Sequence, residues 1–189
     1  TIYDVPNLMF DQKLDDVVLK KMNLPIDGRP QLKEWNDFST KHKNPKNTIE
    51  IGLIGKYVEL HDAYKSIVES FIHAGAQNEV KVKIRWIHSE KLTEENVPEQ
   101  LAGVNGVLVA PGFGDRGIEG KIFAVKFARE NRIPFFGICL GMQMAVIEFS
   151  RNVLGLKNAF SLEMNASAEH PVINLMEEQK SIVDKGGTM

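Results

Sequence analysis

One stretch decides the fold of this chain: Phe135-Phe136-Gly137-Ile138-Cys139-Leu140-Gly141-Met142-Gln143. Residues 133–138 are a short apolar run, which predicts a buried strand, and the largely apolar residues 140–149 predict a helix. Between them, the pattern Gly-x-Cys-x-Gly keeps Cβ atoms out of a sharp turn. The sequence therefore predicts an elbow that lifts the thiol of Cys139 above a sheet edge. The amides at the start of the helix would favour the thiolate over the thiol.

The segments before the elbow alternate between strand and helix patterns. Short apolar runs such as residues 106–110 are typical of parallel strands that helices cover on both faces. This order predicts an α/β fold, with a flavodoxin-like, mostly parallel sheet flanked by helices. The predicted strands cover residues 49–54, 80–87, 106–110 and 133–138, and the predicted helices cover residues 62–75, 121–131 and 140–149. Asp62 is the expected N-cap of the first helix, and Gly75 its expected end.

Residues 1–47 differ from the rest of the chain because they are polar and poor in strand signals. A short amphipathic pattern at residues 14–22 runs into Asn23-Leu24-Pro25, where proline stops a helix. A second helix is expected near residues 32–43. We interpret residues 1–47 as a connector and residues 48–189 as the α/β domain.

Composition excludes several classes of function. The 189 residues include 43% hydrophobic and 25% charged residues, which is typical of a globular protein. The 23 basic and 25 acidic residues form no long block of one sign, so we expect no nucleic-acid partner. The apolar stretches are too short to cross a membrane, and no secretory signal is visible. A single cysteine excludes an internal disulfide and a multi-cysteine metal site, so we expect a cytoplasmic protein with no metal site of its own.

The elbow resembles the nucleophile motif of class I (triad) glutamine amidotransferases. Within them, several separate motifs resemble the CTP synthase family, and they span nearly the whole chain. These motifs are Ile2-Tyr3-Asp4-Val5-Pro6, Gly55-Lys56-Tyr57-Val58-Glu59-Leu60, Asp62-Ala63-Tyr64-Lys65-Ser66, Val109-Ala110-Pro111-Gly112-Phe113-Gly114-Asp115-Arg116-Gly117-Ile118-Glu119-Gly120 and Phe127-Ala128-Arg129-Glu130-Asn131.

The resemblance implies a set of site residues. Cys139 would attack the side-chain amide carbon of glutamine and form a γ-glutamyl thioester. The backbone amides of Gly112 and Leu140 would hold the oxyanion, and such donors each lower a barrier by about 3 kcal/mol. A carboxylate such as Glu163 suits the α-ammonium group of glutamine. The substrate-binding positions that the resemblance implies are Gly112, Leu140, Gly141, Met142, Gln143 and Glu163.

The resemblance also implies partners. Ammonia would pass to a synthase domain of the same chain, which uses ATP and magnesium to aminate UTP to CTP. That domain would precede Thr1, so residues 1–47 would be its end and the linker that follows it. No cofactor is expected within these 189 residues. GTP is an expected allosteric activator near a lid loop at residues 116–121, and the whole enzyme is expected to be a homotetramer.

One part of the family pattern is missing from these residues. The thiolate needs a histidine base oriented by a carboxylate, which the family supplies from a downstream His-x-Glu motif. The sequence ends at Met189 before that motif would be expected, so we interpret it as a C-terminally truncated domain with negligible glutaminase activity alone. His170-Pro171 resembles the start of such a motif, but Val172 follows where a carboxylate is needed, so we reject it.

Three alternatives compete with this interpretation. Gly112-x-Gly114-x-x-Gly117 satisfies a dinucleotide-binding fingerprint. That fingerprint requires a helix that opens at the glycines and an acidic residue after the next strand, whereas we expect a loop up to Gly120 and a strand that ends at Cys139. The elbow also fits another α/β cysteine hydrolase, which an ester or peptide would acylate. A non-catalytic glutamine-binding paralogue would bind glutamine without a histidine base.

Overall fold

The computed structural model describes residues 1–176. Within that range, short 3₁₀ helices cover Ile2–Asp4, His61–Tyr64 and Ser89–Lys91. The α-helices are α1 (Val5–Asp11), α2 (Leu14–Lys21), α3 (Lys33–Lys43), α4 (Lys65–Gln77), α5 (Val97–Gln100), α6 (Ile118–Glu130) and α7 (Leu140–Asn152). The strands are β1 (Asn47–Gly55), β2 (Val80–His88), β3 (Gly106–Val109), β4 (Phe135–Gly137), β5 (Ala159–Ser161) and β6 (His170–Ile173).

The main sheet confirms the predicted parallel α/β fold. Its four strands have the order β2-β1-β3-β4, and both the β1–β3 and β3–β4 pairs are parallel. This order is that of flavodoxin-like folds, in which ligands bind beyond the carboxyl ends of the strands. Gly137 pairs with Val109, so the last residues of β3 and β4 lie side by side at that edge. A second sheet consists of the parallel strands β5 and β6.

The chain divides into two compact units. The first comprises Thr1–Ile49 and Ser66–Val82, and the second comprises Glu50–Lys65 and the residues from Lys83 onward. The predicted domain boundary after residue 47 stays a prediction.

The first unit is organised around Tyr3, which is buried. Its ring packs edge-on against Phe38, and the indole nitrogen of Trp35 donates to the Tyr3 carbonyl at 2.9 Å. The Tyr3 hydroxyl donates to the Glu69 carboxylate on α4. Burial, and secondarily the Glu69 carboxylate, raise the pKa of Tyr3 to about 12. This cluster ties the start of the chain to α3 and α4.

The second unit contains an apolar core between the sheet and the helices α5, α6 and α7. Ile54 on β1 and Val109 on β3 have no exposed surface, because the faces of central parallel strands are covered. Met144 and Ile147 cover the same core from α7 and are also fully buried. This packing holds the carboxyl ends of β3 and β4 against the start of α7.

Two helix boundaries differ from the prediction. Asp62 lies inside a 3₁₀ turn, and α4 begins at Lys65 rather than after an Asp62 cap. Gly75 does not end α4, which continues to Gln77. A Cβ atom at Gly75 would lie 2.7 Å from the Val80 carbonyl oxygen, so this glycine allows close packing rather than helix termination.

A third boundary matters more for the site, because α6 begins at Ile118 and not at Lys121. Gly117 precedes the helix with a φ of 71°, a conformation that glycine adopts without strain. The prediction of a loop at residues 116–121 is therefore wrong for residues 118–121, which are helical. Two further elements, α1 and the β5–β6 sheet, were not predicted from the sequence.

Candidate active site

Cys139 occupies the predicted elbow. It follows β4 and is the N-cap of α7, with a φ of 53° and a ψ of −109°. A non-glycine residue with a positive φ is strained by about 1–3 kcal/mol, and such strain concentrates at functional sites. The cysteine is exposed and stands at the positive end of the α7 dipole. The local backbone therefore presents the sulfur to solvent at the sheet edge.

The two glycines of the motif are required by close backbone approach. A Cβ atom at Gly137 would lie 2.5 Å from the Gly141 carbonyl carbon. A Cβ atom at Gly141 would lie 2.1 Å from the Val109 carbonyl oxygen, to which the Ile138 amide donates at 3.1 Å. The strand before the cysteine and the helix after it thus cross within backbone contact distance. Any larger residue at either glycine would move the elbow.

The loop after β3 reaches the same place. A Cβ atom at Gly112 would lie 3.8 Å from the Leu140 Cδ2 atom, so these two residues are neighbours across the elbow. Leu140 is the first residue of α7, and the first amides of a helix have no partner within it. Residues 112 and 140 can therefore supply the pair of backbone donors that an oxyanion hole needs.

Two buried lysines hold the carbonyl groups of this loop. Lys121 on α6 has no exposed surface, and its Nζ atom donates to the Ala110 carbonyl oxygen at 3.0 Å. The Nζ atom of Lys56, which follows β1, donates to the carbonyl groups of Phe113 and Gly114. Burial, and secondarily the Lys56 charge, lower the pKa of Lys121 to about 8, while Cys139 acts in the opposite direction.

A cleft of about 560 Å³ lies one helical turn beyond Cys139. Gln143 lines this cleft from α7, and Glu163 lines it from the segment after β5. The Gln143 Oε1 atom is buried and has no hydrogen-bond partner within the described residues, so it is an acceptor open to a ligand. Ser161, which is fully buried, accepts a hydrogen bond from the Glu163 amide at 3.3 Å. The other lining residues are Leu162, Ile173, Asn174 and Leu175.

The predicted site residues thus fall into three groups. Cys139, Gly112 and Leu140 meet at the elbow, and Gln143 meets Glu163 in the cleft. Gly141 is a packing residue, because its space is filled by Val109. Met142 is 55% exposed and is not among the residues that line the cleft, so the structure does not bring it to the others.

Sequence reasoning did not identify Lys121, Lys56 or Ser161 as site residues. A signal for Lys121 was present, because it lies three residues after Ile118 and four before Val125, on the apolar face of α6. A lysine in that stripe indicates a buried charge with a specific partner. Lys56 and Ser161 stand in no such pattern.

All five histidines of the sequence lie within residues 1–176, and each has contacts of its own. No hydrogen bond joins any of these rings to the Cys139 sulfur there. His42 and His73 pack on Tyr3, His61 stacks on Trp86, His88 accepts from the Glu90 amide, and the His170 Nε2 atom lies 3.9 Å from Glu169.

The start of α6 after Gly117 resembles a dinucleotide-binding motif more than the sequence predicted. We expected a loop up to Gly120, but α6 opens directly after Gly117. The second argument holds, because the next strand, β4, leads into Cys139 and not into a carboxylate. The start of α6 is also occupied, since a Cβ atom at Gly117 would lie 2.4 Å from the Ser89 hydroxyl.

Within residues 1–176, no three or more His, Cys, Asp and Glu side chains form a group that could hold a metal ion. None of the helices in this range is long and apolar enough to span a membrane.

Comparison with known proteins identifies the family of this chain. A sequence profile described as glutamine amidotransferase class-I matches residues 59–189. Proteins named CTP synthase are similar over the whole chain: 67% identity in Flavobacterium psychrophilum and 56% in Bacteroides fragilis. The chain covers 35% and 36% of their lengths, so it spans about a third of these relatives.

A solved structure, described as the glutaminase domain of Trypanosoma brucei CTPS with bound acivicin, is also similar. It has 39% sequence identity and a TM-score of 0.66, over 69% of this chain and 51% of that one. The likeness confirms the predicted parallel sheet flanked by helices. Because the class-I profile covers more than half of the sequence, this chain belongs to the glutamine amidotransferase class-I family.

Proposed function

We propose that the native protein that contains this chain hydrolyses glutamine with Cys139 as the nucleophile, and that the chain is the glutaminase part of a CTP synthase. The observation that carries the proposal is the strained backbone of Cys139 at the start of α7. Strain of this kind is retained where it presents a reactive atom. The names of the relatives, and of the structural neighbour, support the same assignment.

The reaction has two steps. The Cys139 sulfur forms a bond to the side-chain amide carbon of glutamine, and the amide oxygen becomes an oxyanion between the Gly112 and Leu140 amides. The carbon–nitrogen bond then breaks, and the nitrogen leaves as ammonia with the proton that the thiol gave up to a base. Water attacks the resulting thioester, which releases glutamate and restores the thiol. Neither step consumes an oxidant or a reductant.

The cleft would hold the rest of the substrate. The Glu163 carboxylate suits the α-ammonium group of glutamine, and the unpartnered Gln143 Oε1 atom can accept a hydrogen bond from an N–H donor. Gln143 lies on α7 four residues after Cys139, and Glu163 lines the same cleft. A bound glutamine would thus extend from the elbow into the cleft.

The proposed base is not one of the five histidines of this sequence, a choice supported by the contacts of their rings with groups other than Cys139. We therefore propose that a histidine outside these 189 residues completes the site. The 189-residue chain would then release no ammonia by itself. The full native protein that contains it would do so.

The wider assignment follows the relatives. A synthase domain of the same native chain would take the ammonia and aminate UTP to CTP with ATP and magnesium, as the name of the relatives suggests. GTP would act near Arg116, which is 64% exposed and pairs with Glu90 at 3.4 Å. A homotetramer and a cytoplasmic location remain predictions.

The test uses the full native reading frame that contains this chain. Purified protein is incubated with glutamine, and glutamate and ammonia are measured with Cys139→Ser as the control. We expect release by the native protein and none by the variant, together with labelling of Cys139 by an electrophilic glutamine analogue. Equal release by both proteins would exclude Cys139 as the nucleophile.

The same assay separates the alternatives. Glutamine binding without any release would favour the non-catalytic paralogue. Acylation of Cys139 by an ester, but not by the glutamine analogue, would favour another cysteine hydrolase. If the proposed function holds, the native protein should also form CTP when ATP, magnesium and UTP are added.

A further inference from the structure

Lys121 is a charged residue in an apolar environment. It is fully buried on α6, between the buried positions Ile118, Ile122 and Val125. Its Nζ atom donates to the Ala110 carbonyl oxygen at 3.0 Å, and within residues 1–176 this is the one acceptor found for its three N–H groups. Burying an ammonium group with a single neutral partner is unfavourable for folding, whereas an apolar side chain of the same length would fit without that cost. Stability alone therefore does not explain the lysine.

The position of the ammonium group suggests what it does. The Nζ atom lies 3.7 Å from the point where a Cβ of Gly112 would be, and Leu140 flanks that same point at 3.8 Å. Lys121 thus stands directly behind the loop that faces the elbow. The carbonyl it holds, that of Ala110, belongs to the residue that leaves β3 and starts this loop.

A held carbonyl fixes the direction of the amides that follow. Lys121 holds the Ala110 carbonyl and Lys56 holds those of Phe113 and Gly114, so these contacts lie on both sides of Gly112 in the sequence. Since Gly112 lies between these anchors, its own peptide plane has little freedom to rotate. Glycine itself would otherwise permit many orientations. A preorganised donor is what oxyanion stabilisation requires.

We propose that Lys121 is a positioning residue for glutamine hydrolysis: by holding the Ala110 carbonyl it keeps the Gly112 amide aligned with Cys139. This inference rests on the proposed function, and it adds a residue that does not touch the substrate.

The test compares two lysine-to-methionine variants on the same helix, in the full native protein. Lys121→Met keeps the length of the aliphatic chain and removes the ammonium group. Lys126→Met is the matched control, because Lys126 is 31% exposed and pairs with Glu94 instead. For Lys121→Met we expect kcat for glutamine hydrolysis to fall about 100-fold with KM changed less than about threefold. The unfolding temperature should stay equal or rise, whereas a purely structural lysine would lower it and leave kcat unchanged.

A second measurement does not depend on activity. Hydrogen exchange of the amides in residues 112–114 should become about tenfold faster in Lys121→Met, with exchange in α7 unchanged. If the native protein does not hydrolyse glutamine, the proposed function fails, and the exchange rates still decide whether Lys121 orders the loop.

A folded Lys121→Met with native kcat, or with native exchange in residues 112–114, would overturn the inference. If that variant does not fold, Lys121→Gln replaces it, since it keeps an N–H donor and removes only the charge and some length. Failure of both variants to fold would also overturn the proposal, because Lys121 would then be a determinant of folding.

Discussion

The α-carbon of Gly141 faces Val109 so closely that a methyl group on it would lie 2.1 Å from the Val109 carbonyl oxygen. The same oxygen accepts a hydrogen bond from the Ile138 amide, on the other side of Cys139. The end of β3 therefore contacts the elbow both before and after the nucleophile. The conformation of Cys139 depends on this contact, which joins residues that are distant in sequence.

We expect Gly141→Ala to destabilise the 189-residue chain by about 2–3 kcal/mol, because the backbone must separate to admit the methyl group. Urea unfolding followed by circular dichroism measures the change. Val146→Ala on the exposed face of the same helix is the control, with an expected change below about 1 kcal/mol. Equal stability of Gly141→Ala and the native chain would show that the contact is looser than described.

Replacement of Cys139 by glycine should stabilise the 189-residue chain by about 1 kcal/mol, and in the full native protein it should abolish glutamine hydrolysis. The φ of 53° is strained for cysteine and free for glycine, although the greater freedom of unfolded glycine offsets part of the gain. Cys139→Ser keeps the strain, so its unfolding midpoint should match that of the native chain. A Cys139→Gly chain less stable than Cys139→Ser would contradict the strain at the elbow.

Glu163→Gln should raise KM for glutamine about tenfold in the full native protein and leave kcat within about threefold. The change would remove the proposed charge-assisted contact to the α-ammonium group of glutamine, which would be equally present before and during the reaction. Glu169→Gln is the control, because its carboxylate bonds to Asn158 and does not line the cleft. Steady-state kinetics measure both constants, and an unchanged KM would remove Glu163 from the binding site.

The burial of Lys121 predicts a pH dependence of stability. Its pKa is lowered from 10.5 to about 8, so between these values the unfolded chain binds a proton that the folded chain does not. Stability therefore rises with pH through this window, by about 3 kcal/mol for this group. Urea unfolding measures the free energy of unfolding of the native chain and of Lys121→Met, and the difference between the two isolates the contribution of this lysine. Relative to the variant, the native chain should gain about 3 kcal/mol between pH 7 and pH 10.5. A difference that does not change with pH would contradict the lowered pKa.

Glu148 should be a large contributor to stability. Its carboxylate is buried on α7, accepts from two nitrogens of Arg129 and is also bonded to Asn152. We expect Glu148→Ala to cost about 2–3 kcal/mol, since it removes several hydrogen bonds to a charged group, whereas the Arg129 guanidinium that remains is 35% exposed and can be hydrated. Glu130→Ala removes the exposed partner of the same arginine and should cost less than about 1 kcal/mol. Similar losses in the two variants would contradict this ranking.

The strand and helix patterns of the second unit were predictable because their determinants are local. The elbow was predicted from nine consecutive residues, and the structure has Cys139 between β4 and α7 as expected. Element ends were less predictable. Gly120 was assigned to a loop, yet it lies inside α6, where a Cβ atom would be 2.0 Å from the Ser89 carbonyl oxygen. A glycine required by packing cannot be told from a glycine required by a turn without knowledge of its neighbour.

The sequence by itself thus determined the parallel α/β architecture and the position of Cys139 at an elbow. Periodicity and turn chemistry act over a few residues, so they can be read along the chain. Only the tertiary structure decided that Lys121 is buried behind the Gly112 loop, and that Gln143 and Glu163 share a cleft. These relationships join residues that are distant in sequence. The close packing of β3, α6 and α7 selects them, and no local preference encodes that packing.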